Sequence, residues 1–310
     1  MGGRRALLAA AVLLAARRAA AQALATPLDL PDLPPAGGLR LLGGLQLDAG
    51  VIGFGGLSGL ALAPDLTLTA VSDTGHWLTA RLLLAGDRPI GIGDLRTGPL
   101  REVTGQPLPG TRAGDAEAVL RTPDGIWLVA FERLHRIRAY RALDGAAMLV
   151  PEPPGLNLAP GNQGLEALAM LADGRLLAIT EGLAVPDAPG LMRAWIGRPG
   201  PWQAISYRPE PGFRPVDAAG LPDGGALVLE RYFSLLGGFE GRLVRLSPAA
   251  LQQPVLQGEE ILRLASPLPT DNYEAVAVTR WQGRTLIALL SDDNQSVLQR
   301  SLLLLFELAG

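Results

Sequence analysis

The chain has 310 residues, 48% hydrophobic and 18% charged, a balance that describes a globular protein with a large core and excludes a disordered one. Cysteine is absent, which excludes disulfides, a thiol nucleophile and thiolate metal sites. Lysine is absent too, leaving 27 Arg against 30 acids, so any phosphate or carboxylate site must use Arg, His or backbone amides.

The first stretch reads as a targeting segment. Arg4 and Arg5 precede an apolar run, Ala6 to Ala16, and small residues follow as Ala21-Gln22-Ala23 and Ala23-Leu24-Ala25. This is the charged, apolar and A-x-A order of a secretory signal over residues 1–25, and the run is shorter than the roughly 20 residues that span a bilayer. The Arg pair matches a twin-arginine signal only weakly, and nothing in the pattern explains Arg17-Arg18. Removing the segment takes four Arg and no acids, leaving a net charge of −7. Such a chain lacks the basic face that nucleic-acid binding needs, and no later stretch is long and apolar enough to span a membrane. A periplasmic or secreted protein is expected. Residues 26–38, rich in Pro and Gly, read as a linker, and 39–310 as one domain.

From residue 39 on, short apolar runs alternate with Gly, Pro and Asp turns, and no window carries a convincing helical period, which reads as all-β. One strand–turn–strand unit recurs five times. Its copies are Gly56-Leu57-Ser58-Gly59-Leu60 with Pro64-Asp65 and Val71-Ser72-Asp73-Thr74; Asp115-Ala116-Glu117-Ala118-Val119 with Pro123-Asp124-Gly125 and Phe131-Glu132-Arg133; and Gly164-Leu165-Glu166-Ala167-Leu168 with Ala172-Asp173-Gly174 and Ile179-Thr180-Glu181-Gly182. The fourth is Val216-Asp217-Ala218 with Pro222-Asp223-Gly224 and Leu229-Glu230-Arg231, and the fifth Asn272-Tyr273-Glu274-Ala275-Val276 with Gln282-Gly283 and Leu290-Ser291-Asp292-Asp293-Asn294. The first marked position lies seven residues before the turn Asp in three copies and six in the fourth; the second lies eight after it in three copies and seven in the fourth. Units begin 59, 49, 51 and 57 residues apart, which leaves room for two further strands each. Four antiparallel strands per unit make a propeller blade. The expectation is a single β-propeller of five or six four-stranded blades, its ring closed by strands from both termini, with Leu39 to Leu47 beside the last blade.

In such a blade the first marked residue opens the inner strand and the second closes its hairpin partner, so antiparallel pairing sets them side by side at one mouth of the channel. Ring closure then gathers Glu117, Glu166, Asp217, Glu274, Asp73, Glu132, Glu181, Glu230 and Asp292. Gathered carboxylates raise one another's pKa unless a cation compensates, and calcium, which takes oxygen ligands, suits them. Glu117, Glu166, Asp217, Glu274, Asp73 and Asp292 are the candidate metal ligands, and Glu132 and Glu181 the candidate bases. The competing reading is structural: these acids accept backbone N–H bonds or pair with Arg133 and Arg231. Each Arg directly follows a marked acid. Strand alternation sends them to the outer surface, unless the chain turns there and they reach over the mouth to hold an anionic group. Asp65, Asp124, Asp173 and Asp223 are turn chemistry.

Other constellations are weak. Gly56-Leu57-Ser58-Gly59-Leu60 is not the G-x-S-x-G elbow, which belongs to an α/β fold. A pair drawn from Ser58 or Ser72 with His76 lacks a third member, and His135 reads as structural.

At these residues the chain resembles the phytase-like family described by an "esterase-like activity of phytase". The resemblance rests on Gly56-Leu57-Ser58-Gly59-Leu60, Ser72-Asp73-Thr74-Gly75, Asn162-Gln163-Gly164-Leu165-Glu166-Ala167, Leu229-Glu230-Arg231-Tyr232-Phe233, Asp271-Asn272-Tyr273-Glu274-Ala275 and Ser291-Asp292-Asp293-Asn294, and covers roughly Gly55 to Leu308. It implies a secreted or periplasmic propeller distantly related to calcium-dependent phytases, which use bound calcium to place water and neutralise phosphate. Carried over, Glu117, Glu166, Asp217, Glu274 and Asp292 are implied calcium ligands, and Arg133 and Arg231 implied phosphate contacts. The departure is the missing lysine, which those phytases use in the phosphate site.

The leading expectation is therefore a monomeric, calcium-dependent hydrolase of a small-molecule phosphoester or carboxyl ester. The alternatives are a divalent-metal lactonase, with Asn162, Asn272 and Asn294 supplying neutral oxygens, and a non-catalytic binding module of the cell envelope. Fold alone does not choose among them.

Overall fold

The computed structural model describes residues 24–296 and 298–309. The described residues open with β1 (Ala25–Pro27) and β2 (Leu39–Leu47), and the chain then winds blade one from β3 (Leu57–Leu62), β4 (Thr67–Ser72), β5 (His76–Ala85) and β6 (Arg88–Pro99). Blade two is β7 (Ala116–Arg121), β8 (Trp127–Phe131), β9 (Arg136–Tyr140) and β10 (Met148–Leu149); blade three is β11 (Leu165–Met170), β12 (Leu176–Ala184), β13 (Met192–Gly197) and β14 (Trp202–Tyr207). Blade four is β15 (Arg214–Gly220), β16 (Ala226–Ser234) and β17 (Gly238–Leu246); the chain then crosses back as β18 (Val255–Leu256), parallel to β14, before β19 (Glu259–Leu264) completes the blade. Blade five is β20 (Tyr273–Trp281), β21 (Arg284–Ser291) and β22 (Leu302–Leu308), completed by β2 and β1. The expected all-β propeller thus has five blades, with strands from both ends of the described residues in the last.

The hairpins turn where the sequence demands it. Asp65 Oδ1 accepts the Thr67 N–H at 3.0 Å, Asp173 Oδ1 the Arg175 N–H at 2.9 Å and Asp223 Oδ1 the Gly225 N–H at 2.9 Å, the local bond that makes Asp a turn residue.

The ring has no single core. Neighbouring residues of a strand face opposite ways, so each blade buries one set of side chains against the blade before it and the other against the blade after. Ala118 and Leu120 pack with Leu165, Leu168 and Trp195 between blades two and three. Ala116 and Val119 pack with Val71 and Trp77 between blades one and two. Inner strands β3, β7, β11, β15 and β20 pack edge to edge around the axis. At Gly59 a Cβ would lie 2.9 Å from the Ala118 Cα of the next inner strand, so the approach there requires glycine.

β2 pairs with β22 along its length, with one register shift between Leu41 and Gly43. Glu307 of β22 accepts from Arg40 of β2 at 2.7 Å and from Arg284 of β21 at 2.6 Å, and Arg284 also donates to Asp87 of blade one at 2.8 Å. Arg40 and Asp87 are largely exposed, so this clamp sets register more than stability.

The leader expected over residues 1–25 lies, apart from Leu24 and Ala25, outside the described residues. Residues 26–38, expected as a linker, are not free chain. Thr26 and Pro27 continue β1 against Gln46 and Leu45, and Leu28, Leu30 and Leu33 pack on the seam between blades four and five. Apolar side chains spaced among the prolines find a seam to cover. Ala25 is 1% exposed and pairs with Leu47. Of the two A-x-A sites, we propose cleavage after Ala23, which leaves β1 whole. The intact mass of the exported protein is expected to start at Leu24; a chain starting at Thr26 would show that Ala25 is dispensable.

Candidate functional site

Each inner strand opens with a β-bulge, whose extra residue is Ser58, Glu117, Glu166, Val216 and Glu274 in blades one to five. Just beyond the last residue of the second strand that pairs with the inner one, the backbone N–H groups of Asp73, Glu132, Glu181 and Asp292 donate to the carbonyls of Gly56, Asp115, Gly164 and Asn272 at 2.8–2.9 Å. A bulge re-aims a side chain, and the added bond carries the pairing one residue beyond the ladder. The two marked residues of a blade therefore stand side by side at the mouth. Gly56 makes room for one of them: its φ is +70°, and a Cβ there would overlap Asp73 Oδ1.

Blade four departs from the pattern by one residue. Its bulge residue is Val216, and Pro215 pairs with Glu230 just as Ala116 pairs with Phe131. The residue in register with Glu132 and Glu181 is therefore Arg231, not Glu230. Glu230 turns away from the channel into a buried site, where it accepts from the Tyr207 hydroxyl, from Arg242 Nη1 at 3.1 Å and from the Glu210 N–H at 3.3 Å. Asp217, named with the metal ligands, stands one place beyond the bulge. It takes the position that Gly59, Ala118, Ala167 and Ala275 hold elsewhere, and its Oδ2 accepts the Val276 N–H of the next inner strand at 2.7 Å. Its carboxyl is pushed well up by burial, against the pull of the Val276 and Ala218 N–H bonds.

The structure brings together the other candidates. The carboxyl oxygens of Asp115, Glu117 and Glu132 lie within 4.8 Å of one another, and Glu132 Oε1 is oriented by the Gly164 N–H at 2.8 Å. Asp115 was not singled out in the sequence; it lies two residues before Glu117, the strand spacing that returns to the same face. Glu166 reaches Glu132, while Glu274, Asp73 and Asp292 lie close enough to repel one another and the trio. Burial raises the Glu117 and Glu166 carboxyls well above the usual range, helped by Glu274 at Glu117 and by Glu117 at Glu166. Burial, then repulsion from Asp115 and Glu274, lifts Asp73 to about 6. Burial, then Glu274, lifts Asp292 to about 8.

One guanidinium enters this cluster. Arg231 Nη2 lies 3.1 Å from Glu181 Oε1, and Nη1 pairs with Glu274 and donates to Asn272 Oδ1 at 2.7 Å. The Asn272 amide nitrogen in turn donates to Glu274 at 2.8 Å. Burial disfavours the Arg231 charge, but Glu274 and Glu181 outweigh it and hold its pKa above the ordinary value. Arg133 does not enter the cluster in this way. It stands at φ +54°, more than half exposed, and pairs with Asp115 from the rim. Of the three Asn proposed as neutral ligands, only Asn272 is buried at the mouth; Asn162 and Asn294 are exposed.

The opposite end of the channel opens into a cavity of about 630 Å³ between the inner strands, whose only carboxylates are the turn residues Asp65 and Asp124. The chemistry-bearing groups are at the other mouth. Their donor set is oxygen without nitrogen or sulfur, crowded and mostly uncompensated, which fits a hard divalent cation such as calcium and not a soft one.

These carboxyls hold protons more tightly folded than unfolded, so metal-free stability falls as pH rises from about 4 through the Asp73 and Asp292 values of about 6 and about 8. Melting temperature in chelator is expected to drop across that window; a rise would contradict the crowding. Asp217→Ala strands the Val276 N–H and is expected to cost about 1–3 kcal/mol in urea denaturation, equally with and without calcium.

No curated protein matches the chain. Among solved structures, a structural-genomics target provisionally described as a gluconolactonase gives a TM-score of 0.46 at 14% identity, over 91% of this chain and 97% of that one. Virginiamycin B lyase from Staphylococcus aureus gives 0.45 at 11% identity, over 87% and 99%. Likeness at this level carries no argument about chemistry. The profile described as "Phytase-like: Esterase-like activity of phytase" matches residues 52–295, a span that runs from the first bulge to the last closing acid, and the chain belongs to that phytase-like family.

Proposed function

We propose that the protein is a calcium-dependent hydrolase of ester bonds, acting at the acidic mouth outside the cytoplasm. The observation that carries this reading is an imbalance of charge. Arg231 is spent on Glu181 and Glu274, while Asp115, Glu117 and Glu132 converge within 4.8 Å, with Arg133 alone touching them from the rim. Asp115, Glu117 and Glu132 would hold the ion, with Asp73 and Asp292 beside them. A bound divalent cation supplies charge that polarises an ester oxygen and favours the ionisation of water.

The remaining residues have roles set by their own surroundings. Glu181, its pKa raised by burial and its carboxylate held in place by Arg231, is placed to take a proton from water. Glu166, its proton held more tightly through burial and the nearby Glu117, is placed to give one to the leaving oxygen. Asn272 and Glu274 hold the Arg231 guanidinium, so that Glu181 cannot swing away.

Calcium is expected to raise the melting temperature saturably, as ligands of the native state do, with magnesium giving a smaller rise. Glu117→Gln and Asp115→Asn are expected to abolish that rise. Glu181→Gln is expected to keep it and to lose on the order of 10²-fold in ester turnover. A calcium response that survives both ligand substitutions would move the ion elsewhere. Absence of any response would leave a binding module as the better reading.

A further inference from the structure

Two arginines meet the acidic mouth, and they are held differently. Arg231 is fixed, with Glu181, Glu274 and Asn272 all bonded to its guanidinium. Arg133 has a single partner. It sits in the turn between β8 and β9, at a φ of +54° that residues other than glycine rarely adopt, and its guanidinium stands against Asp115. Its side chain is 55% exposed, that of Asp115 only 7%. Among the described residues the Arg133 guanidinium makes no other ion pair. The contact is one of charge and not a hydrogen bond, for the buried Asp115 Oδ2 has no hydrogen-bond partner. Arg133 also lines a rim cavity of about 520 Å³, which leaves it room to move. It can therefore leave Asp115 without breaking another bond.

Asp115 is also one of the three acids that converge within 4.8 Å. An ion held by all three competes with the Arg133 guanidinium for the same carboxylate. A monovalent ion that displaced Arg133 would exchange one positive charge for another and lose hydration in doing so. A divalent ion brings one charge more than it removes, to three carboxylates at once. We propose that Arg133 determines which cations enter the mouth: it stands in for a cation on Asp115, and gives way to a divalent ion but not to sodium or potassium. This rests on the reading of Asp115, Glu117 and Glu132 as an ion site and adds the residue that makes the site selective.

The test is calorimetric titration of calcium into the wild type, Arg133→Gln and Arg133→Lys. Ionic strength is held either with sodium chloride or with tetramethylammonium chloride, whose cation is too large for the site. The wild type is expected to bind calcium equally in both salts. Arg133→Gln is expected to bind it on the order of fivefold more tightly in tetramethylammonium, the upper end of what a partly exposed ion pair is worth, and to lose part of that gain in sodium, which now competes. Arg133→Lys keeps the charge and should behave as the wild type. Calcium should also speed the reaction of wild-type Arg133 with phenylglyoxal, read by peptide mass, because the ion releases the guanidinium; repulsion at a distance would leave that rate unchanged. Calcium binding in Arg133→Gln alone would support the inference in its strongest form. Equal calcium affinity in the wild type and Arg133→Gln, equal affinity of Arg133→Gln in the two salts, tightening in Arg133→Lys as large as in Arg133→Gln, or an unchanged phenylglyoxal rate would each overturn it while the ion site stands. Calcium binding to none of the three would overturn the ion site and the inference together.

Discussion

A single backbone hydrogen bond, made four times, holds the mouth together. The N–H of Asp73, Glu132, Glu181 and Asp292 each reaches a carbonyl ahead of an inner strand, and without it the strand ends would splay and the carboxylates would relax into water. Those groups repel one another, so nothing in their own chemistry would gather them. The ladder, the bulge and the closed ring do so, supported by five apolar seams. This is how a fold made of ordinary hairpins holds buried like charges in place.

Blade four sets the balance of that charge. It places Val216 where three other blades place a glutamate, and Arg231 where four place an acid. The ring is therefore polarised. One side is an ion-paired lattice of Glu181, Arg231, Asn272 and Glu274, in which one guanidinium is shared between two carboxylates. The other side retains the convergence of Asp115, Glu117 and Glu132. A ring with an acid in every blade would have no reason to concentrate its field on one side, and a second arginine in register would cancel it.

Most of this architecture was legible in the sequence, because repeats, turn residues and strand-length apolar runs are local signals. The five units, the closing role of Leu39 to Leu47 and the meeting of strand-opening and strand-closing acids all follow from spacing and antiparallel pairing. What misled was residue type. In the fourth unit the distances are six and seven instead of seven and eight; counting strictly leads to Val216 and Arg231, whereas choosing the nearest acids leads to Asp217 and Glu230. Both acids are buried and bonded elsewhere, Asp217 to the next inner strand and Glu230 to Tyr207 and Arg242. Asp115 was overlooked for the opposite reason, since it lies outside the strand proper and only the period of two brings it back to Glu117. The apolar residues of 26–38 were hidden by their prolines: composition marks a turn-rich segment but does not say what its leucines cover.

The way the ring closes has a consequence for synthesis. β2 is made before blades one to four, and its partner β22 after them. A nascent chain therefore carries β2 paired only with the short β1 until β22 has been translated. The seam between blades five and one, which joins Leu45 and Leu57 to Leu286 and Leu303, stays open for the same interval. Local hairpins can form early, but closing the ring waits for β22. A chain without β22 is an open ring with two sticky edges, and Leu302–Leu308 act as the latch of the ring.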